Sequence, residues 1–191
     1  MKATTVTVAF GIVVILGAVI GFGLTGGVAN DSELRATWTS DTGRQVSANH
    51  HAVAVADGGV YAPISDDGDG SCALISMDMV DGDTRWTYGI PSENCTIHAV
   101  ADPTVTDVDS DGQNEVLAAT TEKEVAILDT NSGDIEARLN LSDYGYTQPI
   151  VADLAPTTGQ EIIAVDVTGT VFVFGSDGTT LWTASLNEYV W

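Results

Sequence analysis

The chain has 191 residues, with 27 acidic side chains against 6 basic ones and a formal net charge of −21. That balance excludes nucleic-acid binding, which needs a basic footprint. It does not imply disorder, because 44% of the residues are apolar and the acids are scattered rather than gathered in blocks.

The first element is a hydrophobic span. From Val6 to Leu24 the sequence VTVAFGIVVILGAVIGFGL carries no charge. As a helix it would reach ~28 Å, close to the hydrocarbon thickness of a bilayer. Lys2 before the span and acids after it place the N-terminus inside and the remainder outside. The predicted layout is a short cytoplasmic N-terminus at 1–5, a transmembrane anchor at 6–29, and a linker with a partial strand at 30–48. The chain is thus expected in the cell membrane as a single-pass protein with an extracellular domain. Gly26-Gly27-Val28-Ala29 offers a signal-peptide cleavage site as the alternative, although secretory apolar regions are shorter, roughly 7–15 residues. Gly17 and Gly21 form a GxxxG pair, which permits close helix packing and self-association. Gly21-Phe22-Gly23-Leu24-Thr25-Gly26 also matches GxGxxG, but no strand precedes it and it lies inside the span, so it marks no dinucleotide site.

Export is consistent with three N-x-Ser/Thr acceptors for glycosylation, at Asn30, Asn94 and Asn140. Cys72 and Cys95 are the only cysteines. If the chain between them turns at Asp81-Gly82, Cys72 lies opposite about residue 92, near enough for a disulfide. Two buried thiols are the other reading.

Beyond the span the chain repeats. Pro103-Thr104-Val105-Thr106-Asp107 aligns with Pro149-Ile150-Val151-Ala152-Asp153, and the same offset carries Glu115 onto Glu161. Met79-Val80-Asp81-Gly82-Asp83-Thr84-Arg85-Trp86 matches Gly175-Ser176-Asp177-Gly178-Thr179-Thr180-Leu181-Trp182, with Thr130-Asn131-Ser132-Gly133-Asp134-Ile135-Glu136-Ala137 between them. Trp38 marks an earlier partial unit. A period of about 40–50 residues signals a solenoid, propeller or array. Each unit reads as four short strands rich in Val, Ile, Phe and Thr, punctuated by glycine turns. In the first unit they fall near 52–56, 59–64, 73–78 and 84–88; in the third, near 149–152, 161–166, 170–174 and 179–185. The expected fold is all-β, a β-propeller of four-stranded antiparallel blades at about 49–95, 96–142 and 143–191, with tryptophans packed between blades.

The second unit holds the chain's most specific motif. Asp107-Val108-Asp109-Ser110-Asp111-Gly112-Gln113-Asn114-Glu115 sets carboxylates at positions one, three, five and nine, with glycine at six. Alternate side chains converge, Gly112 allows a sharp turn, and the seventh residue, Gln113, can offer its carbonyl. Ca2+ suits such an oxygen-rich loop. An EF-hand would need a bidentate glutamate at position twelve, here Ala118, and flanking helices. A self-solvating acidic turn is the alternative. Asp66-Asp67-Gly68-Asp69-Gly70 lacks the spacing and reads as an exposed hairpin tip. His50 and His51 point to opposite faces of a strand, and His98 sits in the corresponding inter-blade region; all three read as satisfied or solvent-facing histidines, with a ligand cluster as the alternative.

Ala54-Val55-Ala56-Asp57-Gly58-Gly59-Val60-Tyr61 and Ala73-Leu74-Ile75-Ser76-Met77-Asp78 through Gly82 to Trp86 resemble the repeats of quinoprotein-like (PQQ-like) β-propellers. The aspartate loop is similar to the FG-GAP/VCBS repeats of integrin-type propellers. That resemblance implies side-chain calcium ligands at Asp107, Asp109, Asp111 and Glu115 and a backbone ligand at Gln113. The third unit keeps Asp153 and Glu161 but has Ala155 and Thr157, so no ion is expected there. The resemblance covers roughly residues 36–188. The near absence of lysine resembles proteins of halophilic organisms, particularly haloarchaea, whose acidic surfaces stay hydrated in dense salt.

Three blades do not close a ring, since propellers typically have about 4–8. The chain is therefore read as the N-terminal part of a longer protein, with a ring shared by several chains as the alternative. No HExxH, P-loop or GxSxG motif occurs, and no set of PQQ ligands can be identified, so neither catalysis nor a bound quinone is expected. The functional expectation is a membrane-anchored binding or scaffold module with a structural calcium site and a protein or carbohydrate partner. The alternative is part of a quinone-dependent dehydrogenase or a polysaccharide-active propeller enzyme.

Overall fold

A computed structural model describes residues 35–40, 51–66, 70–154 and 159–190. The predicted membrane anchor, Asn30, His50, Ala155 and Thr157 lie outside these residues. Among the described residues no helix is long and apolar enough to cross a membrane. One 3-10 turn, Ser92–Asn94, is the sole helical element there.

Twelve strands form three antiparallel meanders. The first sheet joins β1 (Ala54–Ala56), β2 (Gly59–Ile64), β3 (Ala73–Asp78) and β4 (Thr84–Gly89) in that order. The second joins β5 (Thr104–Thr106), β6 (Glu115–Thr120), β7 (Glu124–Asp129) and β8 (Ile135–Asn140). The third joins β9 (Ile150–Ala152), β10 (Glu161–Val165), β11 (Thr170–Gly175) and β12 (Thr180–Ser185). The short first strands adjoin one another, β5 lying next to both β1 and β9. Three four-stranded sheets set side by side along their innermost strands are propeller blades.

The period-two alternation of each strand explains the packing. Val116 and Ala118 on β6 and Ala126 and Leu128 on β7 meet Tyr61, Leu74, Trp86 and Tyr88 of the first blade. Leu117, Ala119, Val125 and Ile127 point the other way, onto Ile162, Ala164, Phe172 and Phe174 of the third. Both faces of the middle blade are thereby covered, and every residue of β6 is buried.

A tryptophan pins the first blade to the second. The Trp86 indole N–H donates to the Thr130 carbonyl at 3.0 Å, and its ring lies against Gly133, where a Cβ would come within 2.6 Å of it. Trp38 repeats the arrangement one unit earlier, donating to the Met79 carbonyl at 2.9 Å and lying against Gly82. Ala137 replaces the tryptophan at the next junction, and Leu139 lies against Gly178 instead. Both socket glycines have positive φ, +80° at Gly82 and +73° at Gly133, so each position demands glycine twice over.

Cys72 and Cys95 form a disulfide with Cα atoms 5.3 Å apart. The register differs from a simple turn at Asp81-Gly82: the Ile90 N–H donates to the Cys72 carbonyl. A bulge between Ser76 and Met77 shifts the β3–β4 pairing, and the 3-10 turn then brings Cys95 back over Cys72. Asp66 is buried rather than at an exposed tip, its N–H meeting the Cys72 sulfur at 3.3 Å.

Candidate metal centre

The connection between the first two strands differs from blade to blade. In the first blade it is a tight turn with Asp57 and Gly58 both left-handed, φ +50° and +71°, the geometry that matches hairpin twist. In the second blade it is the loop 107–114, and in the third the loop 153–160.

In the second blade the carboxylates of Asp107, Asp109, Asp111 and Glu115 converge, and one oxygen from each lies within 4.8 Å of all the others. Ligand oxygens around one hard cation lie no more than about 5 Å apart, so this donor set could hold a metal ion. Backbone amides hold the cluster. Asp107 accepts the N–H of Asp111 at 3.1 Å and of Gly112 at 3.0 Å. Asp109 accepts the Asp111 N–H at 3.0 Å, and Asp111 accepts that of Gln113 at 2.8 Å. The Gln113 side-chain amide also donates to Asp111, at 3.2 Å. Ser110 at φ +67° and Gly112 at +93° supply the reversals that fold the loop onto itself.

Glu115 is set apart by burial. It opens β6, only 3% exposed, and accepts the Val108 N–H at 2.8 Å. Burial pushes its carboxyl up to about 7, and the charges of Asp109, Glu136 and Asp111 add to the rise, against the Val108 hydrogen bond. A cation placed among these oxygens would offset that repulsion. Asn114 ties the loop to the first blade, its side-chain amide donating to Asp57 at 2.8 Å. A cleft of about 280 Å3 beside the loop is lined by Asp57, Gly112, Gln113, Asn114, Thr130 and Asn131. In the third blade Glu161 makes the same bond as Glu115, accepting the Leu154 N–H at 2.7 Å.

The glycosylation candidates lie apart from this loop. Asn94 ends the 3-10 turn, and its carbonyl accepts the Thr121 hydroxyl at 2.5 Å. Asn140 is exposed at the end of β8.

A second polar cluster joins two of the histidines. His51, which precedes β1, places Nδ1 2.9 Å from Asp102 and Nε2 3.0 Å from Nδ1 of His98. The His98 ring packs 5.2 Å from that of Tyr146. Asp102 and Tyr146 follow no motif, so only the repeat could have signalled them: each segment leads into the innermost strand of a blade.

No family model matches the chain, and no curated protein is similar to it by sequence. Solved structures are. BamB from Moraxella catarrhalis superposes with a TM-score of 0.53 at 16% identity, over 78% of this chain and 39% of that one. The computationally designed Ika8 protein gives 0.52 at 17%, over 76% and 41%. The designed Ika4 protein gives 0.52 at 15%, over 82% and 83%. This chain spans about two-fifths of the length of BamB and Ika8. At such identities the likeness concerns fold alone, and BamB is a PQQ-like β-propeller. The described domain is an all-β segment of three propeller blades.

Proposed function

We propose that this chain is a membrane-anchored extracellular propeller segment that serves as a binding or scaffold module and carries a structural calcium ion in its second blade. The observation that supports the calcium reading is the convergence of four carboxylates, one oxygen from each within 4.8 Å of the others, in a loop held by its own backbone amides. Asp107, Asp109, Asp111 and Glu115 would hold the ion, with Gln113 contributing its carbonyl. The ion would neutralise the loop's charge and fix the connection between β5 and β6. Like-charged oxygens this close repel one another when no cation lies between them.

The role follows from position. The loop joins β5 to β6, every residue of which is buried, and Asn114 fastens it to Asp57. Calcium there would stiffen one end of the blade stack and shape the adjoining cleft. A propeller fold suits a binding or scaffold module.

Thermal melting of the full chain at high salt, with and without calcium, tests the site. The melting temperature is expected to rise with calcium, and Asp109→Ala to abolish that rise while leaving the calcium-free melting temperature unchanged or higher. An undiminished calcium effect in Asp109→Ala would assign the stabilisation to another site.

A further inference from the structure

We infer that His51 and His98 form a second metal site, one that takes a transition-metal ion such as zinc rather than calcium. Nε2 of His51 and Nδ1 of His98 face each other at 3.0 Å. Zinc–nitrogen bonds of about 2.0–2.1 Å at a tetrahedral angle put two ligand nitrogens about 3.3 Å apart. A small outward movement of either ring, with the proton carried by His98 Nε2 instead of Nδ1, would therefore admit the ion. The rings stand nearly perpendicular, at 80° with centroids 5.1 Å apart, so both lone pairs can aim at one point without the rings colliding.

Asp102 supplies the supporting carboxylate. Its Oδ1 meets His51 Nδ1 at 2.9 Å and also accepts the Ala52 N–H at 2.9 Å. An acceptor at Nδ1 fixes the proton on that nitrogen and leaves Nε2 as the lone-pair donor, the tautomer a metal requires. The His51 side chain is only 10% exposed, so its orientation is set by packing as well as by Asp102. His98 is held in left-handed backbone, φ +63°, an uncommon state for a residue with a Cβ and one that clusters at functional sites. Tyr146, from the segment leading into the third blade, packs on its ring. The cluster thus gathers side chains from the approaches to all three innermost strands. An ion there would fasten the first blade to the second, with water completing its coordination.

The two sites would differ in chemistry. Imidazole nitrogens suit zinc, nickel and copper, whereas an all-oxygen loop suits calcium. Binding would move the His98 proton from Nδ1 to Nε2, so that both rings ligate as neutral imidazoles.

Zinc chloride titrated calorimetrically into the calcium-saturated full chain tests the assignment. One equivalent is expected to bind. His51→Ala and His98→Gln should each abolish binding, Asp102→Asn should weaken it 10–100-fold, and Asp109→Ala should leave it unchanged. Glutamine at 98 keeps a polar group facing His51, so this variant decides the matter if His51→Ala does not fold. Saturable zinc binding that survives His98→Gln, or no saturable binding to the unaltered chain, would overturn the assignment.

Discussion

Glu115 and Glu161 occupy equivalent positions and do the same local work, each accepting the N–H of the residue that follows the loop's first aspartate. Both are buried at the start of a second strand. The glutamate is thus part of the loop's architecture whether or not carboxylates stand at positions three and five. Asp166 is another buried acid with a structural role. It is fully buried, and its oxygens accept the N–H groups of Thr168 at 3.0 Å, Thr170 at 2.9 Å and Asp143 at 3.1 Å. The hydroxyls of Thr168 and Ser142 donate to it as well. Burial alone would raise its pKa, but the hydrogen bonds outweigh burial and hold it below the usual carboxylate value of 3.8. A carboxylate with a depressed pKa contributes stability that is present above its ordinary value and lost as pH falls through the folded one. Asp166→Asn is therefore expected to cost about 1.5–3 kcal/mol near neutral pH, and to remove part of the loss of stability below about pH 4. Denaturant unfolding at pH 7 and pH 3 measures both.

At the scale of elements, the stack depends on a glycine turn in one blade receiving an indole from the one before. Gly133→Ala would meet the Trp86 ring at 2.6 Å and force an alanine to φ +73°. Gly112→Ala has a comparable φ, +93°, but nothing within 4 Å of the added carbon. Denaturant unfolding should thus show Gly133→Ala more destabilising than Gly112→Ala, the latter costing about 1 kcal/mol from backbone strain alone. Trp86→Ala should cost about 3–5 kcal/mol. Trp182 holds the equivalent place on β12 yet is 52% exposed, so Trp182→Ala should cost well under half as much. Equal losses at Trp86 and Trp182 would show that the inter-blade socket contributes little.

At the scale of the molecule, much of the fold was legible because the repeat states it several times over. Pro103 and Pro149 precede equivalent strands, and the Asp-Gly and Ser-Gly turns fall between third and fourth strands in each unit. Twelve short strands follow from that punctuation and from period-two alternation. The strand limits differ from the sequence reading by a residue or two, and the Cys72 register by more, because a bulge at Ser76/Met77 leaves no mark in a pattern of alternating residues. The aspartate loop was legible because its ligands are local, spread over nine consecutive positions. Of the His51–Asp102–His98 cluster only the two histidines were, as an alternative reading. Its members lie up to 51 residues apart, and only the stacking of blades brings them together. The loop and this cluster lie at opposite ends of the innermost strands, one following β5 and the other preceding β1 and β5. A calcium ion in the loop would therefore act on the stack from one end and a zinc ion from the other.

The most direct measurement is a crystal structure of the chain grown at high salt with calcium, using anomalous scattering to locate the ion. The account predicts one calcium between β5 and β6, with oxygens of Asp107, Asp109, Asp111 and Glu115 and the Gln113 carbonyl at about 2.3–2.6 Å. A loop that folds as described but holds no calcium at saturating concentration, or an ion bound elsewhere on the blades, would contradict it.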